Sequence, residues 1–141
     1  LQVNQRMELD GKTYHVTLVN LGNPHCVIFC DKVDDVPVST LGPRIENSEY
    51  FPAKTNVEFI RVVNESTVKM RVWERGNGET WACGTGAAAA AVACVFNGLC
   101  KADTDITVKL KGGDLIVRYA SDGSVTLTGN VEKIYEGTVE F

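Results

Sequence analysis

The sequence predicts an α+β fold in which an antiparallel or mixed sheet curls, as an incomplete barrel, around one central apolar helix. Two observations carry this prediction. Most of the chain alternates between apolar and polar residues, which is the period of a strand with one buried face. Residues 86–97 are instead apolar up to the final Asn97 and rich in alanine, the strongest helix former. A helix without a polar face must be buried on every side, and a surrounding sheet provides that burial.

Strand candidates follow one another along most of the chain. Val68, Met70 and Val72 are one of several sets in which every second residue is apolar. The predicted strands are residues 2–8, 14–18, 25–30, 56–63, 68–72, 106–110, 115–119, 125–127 and 131–140. Three pairs of turn-forming residues between these strands predict hairpins: Asp10-Gly11, Gly112-Gly113 and Asp122-Gly123.

Two segments depart from this alternation. Between residues 33 and 54, Ser39 is a candidate N-cap for a short helix that runs to Asn47, and Pro52 marks its exit. The apolar helix is followed by Gly98, a common helix stop. Because neither a linker nor an internal repeat is visible, we expect a single domain that spans residues 1–141.

Composition narrows the classes of function. The net charge of −4 leaves no basic face for phosphates, so no nucleic-acid partner is expected. Residues 81–100 lack charge, but their continuous apolar part is shorter than the ~20 residues of a membrane span, so no membrane contact is expected. Five cysteines without a C-x-x-C pair, and only two histidines, predict free thiols and no metal site. We therefore expect a cytoplasmic protein without a signal peptide.

The densest group of chemically interesting residues surrounds Cys83, at the mouth of the apolar helix. The first N–H groups of a helix have no internal partner and carry partial positive charge. This position predicts a stabilised thiolate, with a pKa below the ~8.5 of a free thiol, and makes Cys83 the most readily alkylated cysteine. The N–H groups of Gly84, Thr85 and Gly86 are placed to hold a carboxylate or a phosphate.

Each of these features also has a plain structural interpretation. The turn at residues 22–25 consists of ordinary turn formers, Asn56 alone is a strand-end polar residue, and Glu74-Arg75 alone is a solvated pair. The glycine-rich segment fits neither a P-loop nor a dinucleotide fingerprint, because the lysine and the third glycine are missing. Free cysteines are usually buried and inert, and we assign four of them to that class: Cys26, Cys30, Cys94 and Cys100.

In combination, the motifs resemble the C-terminal half of diaminopimelate epimerases, and the likeness covers nearly the whole chain. It rests on Gly-Asn-Pro-His at 22–25, Asn56-Val57-Glu58-Phe59, Glu74-Arg75-Gly76-x-Gly78-Glu79-Thr80 and Ala82-Cys83-Gly84-Thr85-Gly86, in that order. Thr128-Gly129, followed by Tyr135-Glu136-Gly137, is similar to the end of the same family.

The resemblance implies a cofactor-independent isomerase that interconverts the L,L and meso forms of diaminopimelate on the route to lysine. Such enzymes have two similar domains, each with a central helix, and two cysteines that act on opposite faces of the α-carbon. By resemblance Cys83 is the second of these cysteines, and Glu74 and His25 assist near the reacting centre. The resemblance assigns the remaining site residues to substrate binding: Asn23, Asn56 and Arg75 at the distal amino-acid end, and Gly84 and Thr85 at the α-carboxylate.

Only one helix start of this kind is present, so we expect the N-terminal domain to be missing and the chain to be inactive by itself. Its expected partners are diaminopimelate and the missing domain, and association into a homodimer is left open. Two alternatives also stay open. One is a related cysteine-based isomerase, such as a proline racemase-like enzyme. The other is a non-catalytic domain that binds an anion or a partner.

Overall fold

The computed structural model describes residues 1–81, 83–129 and 132–140, with the side chains of residues 132–135 excepted. The described strands are β1 (Gln2–Leu9), β2 (Lys12–Asn20), β3 (Pro24–Phe29), β4 (Asn56–Asn64), β5 (Thr67–Glu74), β6 (Gly78–Thr80), β7 (Asp105–Leu110), β8 (Gly113–Tyr119), β9 (Ser124–Gly129) and β10 (Glu132–Thr138). A 3-10 helix spans Val33–Asp35, and two α-helices follow, α1 (Val38–Glu46) and α2 (Gly84–Phe96).

The described strands form one mixed sheet in the order β1-β2-β3-β4-β5-β7-β8-β9-β10, with β6 paired to β5 outside this path. Neighbours are antiparallel except for two parallel pairs, β3 with β4 and β5 with β7. Parallel neighbours need a crossover connection, and each pair has a helix in its connection, α1 for the first and α2 for the second. The three predicted hairpins are confirmed, since β1–β2, β7–β8 and β8–β9 pair antiparallel across their turns.

The middle of the sheet is covered on both faces. Along β3, Cys26 and Ile28 pack with residues of α1, whereas Val27 between them packs with α2. Because successive side chains of a strand point to opposite faces, His25 lies on the α2 face with Val27, and Glu58 lies on the same face with Ile60. The short apolar runs of β3 and β4 thus belong to strands that are buried on both faces of the sheet, as is common for parallel pairs.

Helix α2 has no solvent-exposed stripe. Its residues from Gly86 to Cys94 are all buried, and it contacts β2, β3, β4, β5 and each of β7 to β10. Alanine side chains let the strands approach the helix axis closely, so residues of α2 pack with residues of the surrounding strands in the main apolar cluster. Gly98 follows it in a left-handed conformation, with φ at 74°, as the predicted stop residue requires.

The structure differs from the predicted elements in three places. Helix α2 begins at Gly84, two residues before the predicted start, with Cys83 as its N-cap. Helix α1 begins after Pro37, whose carbonyl accepts the first hydrogen bonds from Thr40 and Leu41, and Ser39 does not cap it. The three-residue strand β6 is absent from the predicted strands, because so short a strand carries no detectable alternation.

Candidate active site

Cys83 occupies the N-cap position of α2. Its backbone is extended, with φ at −140° and ψ at 103°, and its carbonyl accepts a hydrogen bond from the Ala87 N–H at 2.9 Å. The side chain is only 9% exposed. The Gly86 N–H and the Thr85 hydroxyl both lie near enough to its sulfur to favour the thiolate and lower its pKa. The first turn of α2 therefore wraps the thiol, as the helix-start argument predicts.

A fully buried pair lies beside this thiol. His25 in β3 and Glu58 in β4 face each other across the parallel pair, with 2.6 Å between Nδ1 and Oε1 and no exposed side-chain surface on either residue. The other ring nitrogen, Nε2, lies 3.1 Å from Asn23 Oδ1. Since an amide oxygen only accepts, Nε2 carries a proton. The short contact at Nδ1 then requires a second proton, which the imidazole and the carboxylate share.

Asn23 links this pair back to the helix start. Its Nδ2 donates to the Thr85 hydroxyl at 3.4 Å, while its Oδ1 accepts from His25. Thr85 in turn contacts the Cys83 thiol. Four of the predicted site residues, Asn23, His25, Cys83 and Thr85, thus belong to one continuous network.

Gly84 is the first residue of α2, and the other three predicted residues, Glu74, Arg75 and Asn56, lie at or next to the ends of strands. Glu74 is half-buried at the end of β5, where its carboxylate accepts from Asn77 at 3.2 Å and from the Thr80 hydroxyl at 2.9 Å. The Arg75 guanidinium is exposed and, among the described residues, bonds only to the Ala53 carbonyl, at 3.3 Å. The described network does not include it, so a distal substrate group remains its predicted partner.

Asn56 is buried, and both ends of its amide are engaged. Its Oδ1 accepts from the Arg75 backbone N–H at 2.7 Å, and its Nδ2 donates to the Pro24 carbonyl at 3.0 Å. It therefore ties the start of β3 to the end of β5. Direct contact of Asn56 with a substrate stays a prediction, and the second N–H and the second lone pair of its amide are the groups that could make it.

Two glycines allow the close approach around the thiol. A Cβ on Gly86 would lie 3.0 Å from Cys83 Sγ and 3.1 Å from Glu58 Oε1. A Cβ on Gly84 would lie 2.9 Å from a terminal carbon of Leu127. The absence of side chains at both positions lets the helix start sit against the thiol, the carboxylate and the sheet.

The electrostatic environment of Cys83 overturns one prediction. Burial raises the pKa of the Cys83 thiol above its ordinary value, the negative charge of Glu58 raises it further, and Glu74 adds a smaller effect. The Gly86 N–H and the Thr85 hydroxyl oppose these effects on the pKa without cancelling them. The expectation of a lowered pKa is therefore wrong, because a carboxylate that sequence reasoning did not consider faces the helix start.

The chain also matches proteins of known family. The model of the family described as diaminopimelate epimerase matches residues 17–134. A curated diaminopimelate epimerase from Bacillus licheniformis is 51% identical over 135 residues, which are 96% of this chain and 47% of the relative. Another from Leptospira biflexa is 46% identical over 138 residues, which are 98% of this chain and 49% of the relative.

The chain belongs to the diaminopimelate epimerase family.

Two solved structures are similar to this chain in fold. A hydroxyproline epimerase from Agrobacterium vitis, solved with trans-4-hydroxy-L-proline, matches 98% of this chain with a TM-score of 0.62 at 14% identity. A Bacillus anthracis protein of the PhzF family matches 81% of the chain with a TM-score of 0.55. At this level of identity the likeness concerns the fold alone. The chain spans about half the length of the curated diaminopimelate epimerases that it matches. No helix among the described residues has the length and apolar character needed to cross a membrane.

Sequence reasoning assigned no role to Glu58, although the residue lies within one of the family motifs that it used. The available signal was a single carboxylate in the apolar run of β4, between Val57 and Phe59. A strand that is buried on both faces rarely holds a charge without a partner. To identify His25 as the partner of Glu58, the parallel pairing of β3 with β4 must be known. The alternation of apolar and polar residues does not predict that pairing.

Proposed function

We propose that this chain is the C-terminal half of a diaminopimelate epimerase and that Cys83 is one of its two acid–base groups. The observation that supports this most directly is the thiol at the start of α2, enclosed by the Thr85–Asn23–His25–Glu58 network. The network unites residues from three separate motifs of the family at one end of a buried helix.

The chemistry of the reaction suits this arrangement. A base on one face of the substrate takes the α-proton, and the Cys83 thiol delivers its own proton to the opposite face, which leaves Cys83 as a thiolate. Negative charge accumulates on the α-carboxylate meanwhile. The N–H groups of Gly84 and Thr85 at the start of α2 stabilise that charge, since helix-start N–H groups have no internal partner.

The other residues bind and orient the substrate. Glu74 is accessible and acts next to the substrate amine. His25 is buried with both ring nitrogens engaged, so it acts through Asn23. Arg75 binds the distal carboxylate, for which a guanidinium offers paired donors, and Asn56 holds its backbone in place. A distal charged group distinguishes diaminopimelate from proline, which is the substrate expected for the alternative, proline racemase-like enzyme.

The missing partner is a second domain of similar size. The relatives are about twice as long as this chain, which supports an N-terminal half that supplies the opposing cysteine. Contacts of α2 with strands near both ends of the sheet, and the isolated bridge between Asn20 and Glu140, support a sheet that curls around α2 as an incomplete barrel. We also retain a cytoplasmic location and homodimer formation as parts of the proposal.

The deciding experiment follows deuterium incorporation from D₂O into diaminopimelate. The full-length protein should exchange the α-proton, the Cys83→Ala variant should lose the exchange, and Cys30→Ala should retain it as a matched cysteine control. The chain by itself should show none. Undiminished exchange by Cys83→Ala, or turnover by the isolated chain at ~1–10³ s⁻¹, would refute the assignment. Exchange of proline instead would favour the proline racemase-like alternative.

A further inference from the structure

Glu58 is a buried carboxylate in an apolar strand. Its side chain has no exposed surface, and its neighbours Val57, Phe59 and Ile60 are fully buried apolar residues. Its second oxygen, Oε2, has no hydrogen-bond partner among the described residues. Burial of a carboxylate that is only half satisfied is costly, and burial accordingly raises the pKa of Glu58 above its ordinary value.

A purely structural role explains this residue poorly. Buried ion pairs are often replaced by apolar residues without loss of stability. The register of β3 on β4 is already specified by a continuous parallel ladder from His25 to Phe29 and by apolar packing on both faces. A structural residue at this position needs no carboxylate, so the charge itself calls for an explanation.

The carboxylate faces two groups of the proposed site at once. Its Oε1 lies 2.6 Å from His25 Nδ1. The hypothetical Cβ of Gly86 would lie 3.0 Å from Cys83 Sγ and 3.1 Å from the same oxygen, which places sulfur and oxygen no more than about 6 Å apart. Among the described residues, the carboxylates that act on Cys83 are Glu58 from β4 and, more weakly, Glu74 from β5.

We propose that Glu58 is a positioning residue for the epimerase half-site. Its Oε1 holds His25 in one orientation and tautomer, with Nε2–H directed at Asn23, and the same carboxylate keeps the neighbouring Cys83 as the protonated thiol that donates a proton. This inference rests on the proposed function for its catalytic meaning. Its two physical claims do not depend on the substrate. They are that Glu58 shares a proton with His25 and that Glu58 disfavours the thiolate of Cys83.

The test uses the full-length protein without substrate, as wild type and as Glu58→Gln. The rate of Cys83 alkylation by iodoacetamide is followed against pH by mass spectrometry of the Cys83 peptide. We expect a wild-type midpoint above the ~8.5 of a free thiol. Glu58→Gln removes the carboxylate charge that faces the sulfur, but His25 gives up the shared proton in the same variant and offsets part of the effect. The midpoint should therefore fall by about half a pH unit, which is about threefold faster labelling at a fixed lower pH. Glu46→Gln is the matched control, because Glu46 is also buried but bonds to Trp73 and Gly76 instead.

The second readout is the ¹⁵N spectrum of the histidine rings in the same proteins. In the wild type both nitrogens of His25 should appear protonated, because Nδ1 shares a proton with Glu58. In Glu58→Gln the Nδ1 resonance should move to the position of an unprotonated nitrogen. His15, which is exposed on β2, should not change and is the internal reference.

Each outcome decides the proposal. An unchanged or raised Cys83 midpoint in Glu58→Gln would overturn the role of the charge, and so would a shift of the same size in Glu46→Gln. An unprotonated Nδ1 in the wild type would overturn the shared proton. If Glu58→Gln fails to fold, the wild-type midpoint and the wild-type ring spectrum still decide. Exchange of diaminopimelate in D₂O tests the proposed function separately, so the two can fail independently.

Discussion

The Oδ1 atom of Asn56 accepts a hydrogen bond from the backbone N–H of Arg75 at 2.7 Å, although 19 residues separate the two in the sequence. The same side chain donates to Pro24 at the start of β3. The buried amide of Asn56 thus fixes the backbone position from which the exposed side chain of Arg75 extends. Asn56, for which substrate contact stays a prediction, also holds the backbone of Arg75 in place.

Replacement of Asn56 by alanine should weaken both binding and stability. The Arg75 N–H and the Pro24 carbonyl lose their partner, which should reduce the free energy of unfolding by about 1–3 kcal/mol. Looser placement of Arg75 should raise the KM of the full-length enzyme by about fivefold, the factor for ~1 kcal/mol of binding. Urea unfolding and steady-state kinetics measure the two effects. Asn47→Ala, which removes an exposed amide from the end of α1, is the control. An unchanged KM would show that Asn56 does not position Arg75.

Gly86→Ala should disturb the thiol more than Gly84→Ala does. The added methyl group at position 86 meets the Cys83 sulfur and the Glu58 carboxylate, neither of which has room to retreat, and overpacking of this kind costs about 1–3 kcal/mol. At position 84 it meets only the end of the Leu127 side chain, which can rotate away. Thermal unfolding and the pH dependence of Cys83 alkylation should both change more in Gly86→Ala. Equal effects of the two substitutions would contradict the tight approach at Gly86.

The order of cysteine labelling should depart from the order that the sequence predicts. Burial raises the pKa of Cys30 to about 11 and raises that of Cys26 further, and the Cys83 pKa is also raised. Cys100 is the exception, because a hydrogen bond from Cys94 lowers its pKa. We therefore expect Cys100 to be alkylated first near neutral pH. Site-resolved mass spectrometry measures the order, with urea-unfolded protein as the reference in which all five thiols react. Labelling of Cys83 ahead of Cys100 would restore the helix-start argument.

The ion pair between Arg71 and Glu79 should make stability depend on pH. Two short hydrogen bonds, at 2.8 and 2.9 Å, join their side chains between β5 and β6, and they lower the pKa of Glu79. Because the folded pKa lies below the unfolded value of ~4.3, the contribution is complete above that pH and is lost as the pH falls through the folded pKa. Glu79→Gln should reduce the free energy of unfolding by about 1 kcal/mol at pH 7 and by much less near pH 2–3. Glu65→Gln, in an exposed pair at 3.9 Å, should have little effect at either pH.

Trp81 offers a direct view of assembly with the N-terminal half. It is 64% exposed, two residues before Cys83, which is unusual for so large an apolar side chain. If the missing half covers this end of α2, addition of that half should shift the Trp81 fluorescence to shorter wavelength, and Trp81→Ser should weaken the complex. Trp73→Phe isolates the Trp81 signal within this chain. An unchanged spectrum on complex formation would place the interface elsewhere.

Local signals predicted most of the elements, because a hairpin or a helix end depends on a few neighbouring residues. Asp10-Gly11 predicts its hairpin, and Gly98 predicts the end of α2. The boundaries that failed are those set by tertiary contacts. β6 exists because it pairs with β5, and α1 begins at Pro37 without a side-chain cap.

In the site, too, local signals were predictable and tertiary contacts were not. Cys83 could be found from its helix start and its glycines, and family resemblance supplied His25 and Asn23. The pKa of Cys83 could not be found in this way, since it depends on Glu58, which reaches the thiol only through the pairing of β3 with β4 and the approach of Gly86. Long-range placement decided the electrostatics, and alternation carries no information about it.

The two parallel pairs described for the sheet have a kinetic consequence. The bonds that build the network join residues separated by 33 positions, for His25 and Glu58, and by 62 positions, for Asn23 and Thr85. Hairpins such as β7–β8 close short loops and form early, whereas β3–β4 and β5–β7 must wait for α1 and α2 to cross over. We therefore expect the thiol, the imidazole and the carboxylate to meet only in the last stage of folding. Until then Cys83 is an ordinary exposed thiol, and the newly made chain is most vulnerable to oxidation before its sheet is complete.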